Sequence, residues 1–235
     1  MKSAGLSDIG LHRKRNEDSY FIDEDQGIFI VCDGMGGHRG GDVASRLAVQ
    51  TIREHLDLTG VEEMPPLLNQ AVQAANITIN RMGNADDSLR EMGTTVTAAI
   101  IRDNHLTVAH VGDSSLYYFH TGTLSKITRD HTLAAQMKAD GIFTNGDLPT
   151  NSYSHILTRA VGVEAEVSID IYQQAISRGD WILICSDGLT DLVTDVEIAG
   201  LMVTATEPAI TARALLDTAL DKGGYDNITV IVVSI

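Results

Sequence analysis

The most informative stretch of the sequence is Ile28-Phe29-Ile30-Val31-Cys32-Asp33-Gly34-Met35-Gly36-Gly37-His38. Its first five residues are apolar and predict a buried strand, which we expect to end at Asp33. Three glycines within four positions then let the backbone approach a ligand closely. A carboxylate, a glycine-rich backbone and a histidine on one tight turn are typical of a metal or phosphate site. An ordinary glycine-rich turn after a strand has the same pattern, so the rest of the chain must decide.

The composition is that of a globular protein. Of the 235 residues 43% are hydrophobic, which is enough for a sizeable core. No stretch approaches the roughly 18 apolar residues of a membrane span, and the first residues lack the apolar segment of a signal peptide. We therefore expect a cytoplasmic protein in which Cys32 and Cys185 are buried thiols rather than a disulfide. The net charge of −15 argues against binding to nucleic acid or to an anionic membrane.

Apolar periodicity predicts the elements that follow the opening strand. One helix is expected after Asp42, its predicted N-cap, and another after Pro65. Strand-like runs separated by short turns predict an antiparallel meander over residues 96–119. Residues 142–159 show no clear period, and we interpret them as a flap. The remaining predicted elements are strand-like pieces near Gly5-Leu6 and over residues 19–22, a strand over residues 181–185, a helix over residues 133–140, one from the capping box Thr194–Glu197, one from Pro208, and a closing strand over residues 228–235.

Four aspartates occupy corresponding places beside apolar strands. Asp33, Asp113 and Asp187 follow such runs, and Asp226 precedes one. In antiparallel sheets the carboxyl end of one strand lies beside the amino end of its neighbour, so all four carboxylates can share one rim. Like charges at that range repel each other by several kcal/mol unless they are protonated or bridged by cations.

The type of ligand indicates which cation would be bound. Carboxylates with few nearby histidines or cysteines favour Mg²⁺ or Mn²⁺, and no spacing typical of a zinc site is present. Two such ions about 3.5–4 Å apart can hold a bridging hydroxide and polarise a phosphoryl group. No serine or cysteine nucleophile motif appears, so water is the expected attacking group. The basic residues 12–15 are a candidate anion clamp. Together these features predict metal-assisted hydrolysis of a phosphoester.

Seven motifs then occur in an order that spans nearly the whole chain. They are Arg13-Lys14-x-Asn16-x-Asp18, Val31-Cys32-Asp33-Gly34-Met35-Gly36-Gly37-His38, Met92-Gly93-Thr94-Thr95, His110-Val111-Gly112-Asp113-Ser114, Asp130-His131-Thr132, Cys185-Ser186-Asp187-Gly188-Leu189-Thr190 and Asp226-Asn227-Ile228-Thr229. This set closely resembles the metal-dependent serine/threonine protein phosphatases of the type 2C (PPM) family, in their short bacterial form.

The resemblance implies a fold and a metal complement. The fold would be a single α+β domain over residues 1–235, a four-layer αββα sandwich of two antiparallel β-sheets packed face to face with helices outside each. It would bind two core Mn²⁺ or Mg²⁺ ions, and the resemblance to bacterial members implies a third, weaker site. By resemblance Asp33 bridges both core ions, the Gly34 carbonyl binds one of them, Asp187 and Asp226 bind the other, and Asp113 with Asp187 forms the third site.

The resemblance also implies roles for the groups around the ions. Arg13 would bind the phosphate, Asp18 would act through metal-bound water, and Asn227 would support the same network. His38 matches the histidine proposed to protonate the leaving alkoxide, although a solvent-facing loop histidine is the simpler interpretation. Ser115 stands where the family usually has arginine, which makes the third metal site the least secure.

The expected activity is hydrolysis of phosphoserine and phosphothreonine in proteins by attack of a metal-bridging hydroxide. We expect a monomer whose substrates are the targets of a cognate Ser/Thr kinase. Two alternatives stay open: a catalytically weak regulatory module that binds phosphoproteins, and a metal-dependent hydrolase of small phosphoesters. The physiological substrate does not follow from the sequence.

Overall fold

The computed structural model describes residues 1–36, 40–60, 63–141 and 153–235. Within these ranges the chain forms two antiparallel β-sheets with helices on their outer faces, which confirms the predicted fold class. His38 and residues 142–152 of the predicted flap lie outside the described residues.

The two sheets are built from strands that are distant in sequence. The first sheet has the order β1 (Lys2–Asp8), β11 (Ile228–Ser234), β10 (Trp181–Cys185), β7 (Ser115–His120) and β8 (Thr123–Lys126). The second has the order β2 (Asp18–Asp23), β3 (Ile28–Met35), β5 (Val96–Arg102), β6 (His105–Val111) and β9 (Asp170–Ala175), and the short β4 (Gly93–Thr94) also pairs with β3.

Strand β3 shows why the opening stretch has a continuous apolar run. Successive side chains of a strand point to opposite faces of its sheet. Ile28, Ile30 and Cys32 pack toward the outer helices, whereas Phe29 and Val31 pack against the other sheet. Because both faces are covered, every position of this run is buried and apolar. The alternation places the residue at position 33 on the side that faces the other sheet.

Helices cover both outer faces of the sandwich. Residues of α1 (Gly41–His55) and α2 (Met64–Ala85) share a core with the second sheet, and residues of α5 (Asp195–Val203) and α6 (Pro208–Asp221) share one with the first. The shorter helices are α3 (Leu133–Ala139) and α4 (Asp187–Thr190). None of the described helices has the length and apolar character needed to cross a membrane.

The helix termini test two capping predictions. The predicted capping box at α5 is confirmed, since the Thr194 side chain accepts from the Glu197 N–H and the Glu197 side chain accepts from the Thr194 N–H. The prediction of Asp42 as an N-cap is wrong. Helix α1 begins at Gly41, and the Asp42 carboxylate instead pairs with Arg46 one turn later at 2.9 Å.

The predicted meander is wrong at its second connection. Strands β5 and β6 form a hairpin, but β7 belongs to the other sheet, so residues 112–114 cross from one layer to the next. Gly112 makes this crossing with φ +108°. A short gap is compatible with a hairpin and with a crossing between packed sheets, and only the tertiary packing separates the two.

Three strands and one strand end were not predicted. Strands β8 and β9 lie at sheet edges and carry many polar side chains, so they lack an apolar run. Strand β4 has only two residues, which is too short to show a period. Strand β3 continues past Asp33 because Gly34 and Met35 pair with β4. The two cysteines are buried free thiols, as predicted.

Candidate metal centre

Asp18 and Asp33 form the first half of the site as a cross-strand pair. They lie directly opposite each other in the β2–β3 register, so both carboxylates project from the same face, toward the other sheet. Like charges in this position are destabilising. The Ser186 hydroxyl donates to Asp18 Oδ2 at 2.8 Å across the gap between the sheets. The buried Oδ1 of Asp18 has no hydrogen-bond partner among the described residues.

The first sheet supplies the second half through two neighbouring strands. Asp187 begins α4 directly after β10, and Asp226 stands just before β11, which pairs with β10. Asp226 Oδ1 accepts the Asn227 N–H at 2.8 Å, and Asp226 Oδ2 accepts from Arg13 at 2.5 Å. Within the described part of the chain, the buried Oδ1 of Asp187 accepts no hydrogen bond. Each sheet therefore contributes carboxylates to one end of the sandwich.

Position 34 has no space for any side chain, so only glycine fits there. A Cβ there would lie 2.1 Å from the Gly41 carbonyl oxygen and 2.6 Å from that of Glu17. Its N–H donates to the Glu17 carbonyl at 3.2 Å, and the residue borders the same cleft as Asp33. The absent side chain lets backbone come close beside the Asp33 carboxylate, which is the arrangement that a carbonyl ligand requires.

Asp113 is placed by the crossing between the sheets. Asp33 donates its N–H to Thr95 Oγ1 at 2.9 Å, and the Thr95 and Ser114 hydroxyls are bonded at 2.8 Å. Thr95 thus connects the backbone of Asp33 with the turn that carries Asp113. Ser115 is fully buried at the start of β7, and its hydroxyl has no partner among the described residues.

Burial and crowding raise the pKa of these carboxyl groups. Burial, followed by the charges of Asp187 and Asp226, raises the pKa of Asp18 to about 7. Burial and Asp187 raise the pKa of Asp113 to about 8. The pKa of Asp33 is held well above its usual range by burial and by Asp18, and that of Asp187 is raised by burial and by Asp226. The cluster therefore requires protons or cations at neutral pH.

The donor set fits hard divalent cations. The converging groups are carboxylate oxygens and a backbone carbonyl, and the two thiols are buried within their strands. The buried oxygens of Asp18 and Asp187 that accept no hydrogen bond are positions that a cation would satisfy. Oxygen donors of this kind suit Mg²⁺ and Mn²⁺, whereas zinc sites use thiolate or imidazole.

The carboxylates border a cleft of about 1320 Å³. Most of the site residues predicted from sequence lie along its wall: Arg13, Asp33, Gly34, Asp113, Asp187, Asp226 and Asn227. Asp18 lies beneath Asp33 in the neighbouring strand. Arg13 is half-exposed and is paired with Asp226, so the predicted phosphate ligand and a predicted metal ligand contact each other.

Asn227 joins two chain segments that border the cleft. Its side-chain amide donates to the carbonyls of Ile9 and Arg15, both at 2.9 Å, and its Oδ1 accepts the Glu17 N–H at 2.8 Å. The residue is buried. The side chain that was predicted to support the metal network thus fixes the loop that carries Arg13 against the turn that carries Asp226.

Sequence reasoning missed two residues that border the same cleft, Asp191 and His155. One atom each from His155, Asp187 and Asp191 lie within 4.8 Å of one another, a grouping that could hold a cation. Burial and Asp187 raise the pKa of Asp191 to about 6. A signal for Asp191 was present, because residues four apart on a helix share a face and Asp187 opens α4. His155 belongs to the predicted flap, whose residues Ser154 and Leu157 also border the cleft.

Comparison with known proteins places these features in a family. The family model described as Protein phosphatase 2C matches residues 12–222. The chain is 36% identical over 234 residues to the serine/threonine phosphatase stp of Listeria welshimeri, covering 97% of this chain and 93% of that protein. It is also similar to the crystal structure of the Mycobacterium tuberculosis serine/threonine phosphatase PstP/Ppp, with a TM-score of 0.93, 34% identity and coverage of 100% of this chain and 98% of that one.

A further solved structure bears on the metals. The catalytic domain of serine threonine protein phosphatase PstP in complex with two manganese ions matches with a TM-score of 0.90 and 34% identity. The match covers 99% of this chain and 97% of that chain.

Proposed function

The chain belongs to the protein phosphatase 2C family and is a metal-dependent serine/threonine protein phosphatase, and from this we propose a role for each residue of the cleft. The convergence of Asp33, Asp113, Asp187 and Asp226 from two sheets on one cleft carries the proposal. The catalytic domain of the relative PstP binds two manganese ions, and the oxygen donors of this cleft suit Mn²⁺ and Mg²⁺ alike. When bound, such ions lower the pKa of water and polarise a phosphoryl group.

We assign the metal ligands by position in the cleft. Asp33 would be a ligand shared by both core ions. The Gly34 carbonyl would be a further ligand of one ion, and Asp187 with Asp226 would hold the other. Asp113 and Asp187 would hold an additional, weaker ion. The buried Oδ1 of Asp187, which has no hydrogen-bond partner among the described residues, supports its role as a ligand, and the buried Oδ1 of Asp18 is likewise available to accept from water.

The remaining groups act on substrate and water. Arg13 leaves Asp226 to form paired hydrogen bonds with the phosphate, which orients the substrate and stabilises negative charge in the transition state. Asp18, fixed by Ser186, orients water next to Asp33. His38 is proposed as the proton donor to the leaving alkoxide from its place in the motif alone. Asn227 holds the Arg13 loop in place.

The cellular setting is also a proposal. We propose a cytoplasmic, monomeric protein with a single catalytic domain over residues 1–235 that removes phosphate added by a cognate Ser/Thr kinase. Each predicted ligand carboxylate is present at the cleft, which is the observation that disfavours a purely regulatory binding module.

The test is a phosphopeptide assay with purified protein. We expect release of phosphate from phosphothreonine and phosphoserine peptides with Mn²⁺, loss of that activity in EDTA, and its return when Mn²⁺ is added back. Full activity in EDTA would contradict the metal mechanism. Hydrolysis of p-nitrophenyl phosphate without any hydrolysis of phosphopeptides would favour an enzyme for small phosphoesters.

A further inference from the structure

Two basic residues at the edge of the cleft have no role in the chemistry proposed above. Lys14 and Arg15, which we call the cationic rim, are exposed and border the cleft beside Arg13. Arg13 is paired with Asp226, whereas in the described part of the chain neither rim side chain forms an ion pair or a hydrogen bond. Their charges are thus free to act on a bound molecule.

The backbone beneath the rim is fixed. Asn227 binds the carbonyls of Ile9 and Arg15, and the Leu11 N–H donates to the Gly224 carbonyl at 2.8 Å. These bonds hold both ends of the basic loop against the turn before β11. A charged group on a fixed backbone loses less conformational freedom on binding than one on a loose loop.

The rim stands out against the charge around it. The whole chain carries a net charge of −15, and the wall of the cleft also carries Asp113 and Asp191. Glu17 is the acidic neighbour of the rim, and its pKa is raised by burial and by the charge of Asp42, which the charges of Arg13 and Arg15 only partly offset. Glu17 makes no ion pair with Arg15 in the described residues, so the positive charge of the rim is not cancelled there.

We propose that Lys14 and Arg15 bind acidic side chains that flank the phosphorylated residue of a substrate. This inference rests on the proposed function and names its substrate class, which is phosphopeptide segments with a glutamate or aspartate close to the phosphoresidue. The cleft of about 1320 Å³ is much larger than a phosphate group and leaves space for neighbouring residues of a peptide. Complementary charge of this kind contributes mainly to selectivity and to the association rate.

The test compares phosphothreonine peptides that differ only in the flanking residues, which are glutamate, alanine or lysine. We expect kcat/KM with Mn²⁺ to be about three- to tenfold higher for the glutamate peptide than for the lysine peptide, as a few exposed charge pairs would give. The preference should shrink with added salt, because exposed charges are screened. The double variant Lys14→Glu/Arg15→Glu should reverse the order, and Lys14→Ala/Arg15→Ala should abolish the preference.

A matched control separates the rim from net charge. Arg81→Glu/Arg178→Glu changes the net charge equally at two exposed sites away from the cleft and should keep the wild-type preference. Since the whole protein is strongly acidic, its overall field favours basic peptides. A wild-type preference for the lysine peptide, equal kcat/KM for all three, or the same reversal in the control variant would overturn the proposal.

The outcomes for the rim and for the proposed function are distinct. If the wild-type protein hydrolyses all three peptides with Mn²⁺ and shows no preference for the glutamate peptide, the rim proposal fails and the proposed function stands. If it hydrolyses none of them, the proposed function fails, and the rim proposal fails with it.

Discussion

At the scale of single residues, the site is a set of carboxylates that repel one another. Asp18 and Asp33 oppose each other directly across two strands, and Asp187 lies close enough to raise the pKa of both. Repulsion between these carboxylates lowers the stability of the folded protein. The arrangement suits the binding of cations, because each bound ion would remove repulsion that the folded protein otherwise retains.

Asp33→Asn should therefore change activity and stability in opposite directions. We expect phosphatase activity with Mn²⁺ to fall by more than about 100-fold, because the carboxylate that we propose as the shared metal ligand is lost. In EDTA the variant should melt at a higher temperature than the wild type, because one of the repelling charges is gone. A phosphopeptide assay and thermal melts in EDTA measure these two effects, and calorimetric titration measures the Mn²⁺ affinity itself.

A suitable control for this variant is Asp87→Asn, which removes a fully exposed carboxylate. It should change neither quantity. Wild-type Mn²⁺ affinity in Asp33→Asn would remove Asp33 from the metal site.

Arg13→Ala should weaken substrate binding and spare the metals. The arginine is the proposed phosphate ligand, so we expect KM for phosphopeptides to rise about tenfold, while kcat changes less. The ion pair with Asp226 is largely exposed, so its loss should cost little stability. Steady-state kinetics measure KM and kcat, and calorimetric titration measures whether the Mn²⁺ affinity is unchanged.

Arg13→Lys should recover only part of the loss in KM, since lysine cannot form the paired hydrogen bonds. An unchanged KM in Arg13→Ala would contradict the assignment.

At the scale of elements, His131 joins three segments around the cleft. Its N–H donates to the Gly112 carbonyl at 2.8 Å, and its Nδ1 accepts the Gly112 N–H at 3.1 Å. Its carbonyl accepts the Thr158 N–H at 2.8 Å, and its Nε2 lies 3.2 Å from Asp170 Oδ2. Because Nδ1 accepts, the hydrogen of the neutral ring sits on Nε2 and points to Asp170. The turn before Asp113 is therefore fixed to the segment that follows residue 152.

Two substitutions of His131 should distinguish the effect of its contact with Gly112 from that of its contact with Asp170. His131→Asn keeps an acceptor near the position of Nδ1, and His131→Gln keeps a donor near the position of Nε2. We expect His131→Gln to weaken the weakest Mn²⁺ site, because the Gly112 N–H loses its partner and the adjacent Asp113 is no longer held in place. His131→Asn should keep that affinity and instead raise hydrogen exchange in residues 153–159.

Calorimetric titration measures the Mn²⁺ affinity, and hydrogen exchange measures the protection of residues 153–159. Neither measurement depends on catalytic activity. Equal loss of the weakest Mn²⁺ site in both variants would indicate a general effect on folding. No change in either measurement would contradict the link.

At the scale of the whole molecule, the raised pKa values predict an unusual pH dependence. Unfolded aspartates lose their protons near pH 4, whereas folded Asp18 and Asp113 keep theirs until about pH 7 and 8. Between these limits the folded state binds more protons than the unfolded state, so the stability of the metal-free protein falls as the pH rises. We expect its melting temperature to drop by about 5–10 °C between pH 5 and pH 8.

Mn²⁺ should cancel much of this dependence, because the ions take the place of the protons. Thermal melts in EDTA and in Mn²⁺ across that pH range measure the difference. A melting temperature in EDTA that rises steadily to pH 8 would show that the cluster is not strained by charge.

Several elements and most of the site residues could be predicted from the sequence alone. The apolar run before Asp33 predicted a buried strand, and the capping box predicted the start of α5. Repeated aspartates beside strands predicted an oxygen-ligand metal site. These features are local, since they depend on periodicity and on residue chemistry within a few positions.

Which strands are neighbours, and what surrounds each carboxylate, became known from the three-dimensional packing alone. It placed β7 in the opposite sheet from β6, set Asp18 directly across from Asp33, and brought Arg13 onto Asp226. It also added Asp191 and His155 to the cleft. The physical reason is that a short turn fits a hairpin and a crossing between sheets equally well, and burial and pairing depend on contacts between residues far apart in the chain.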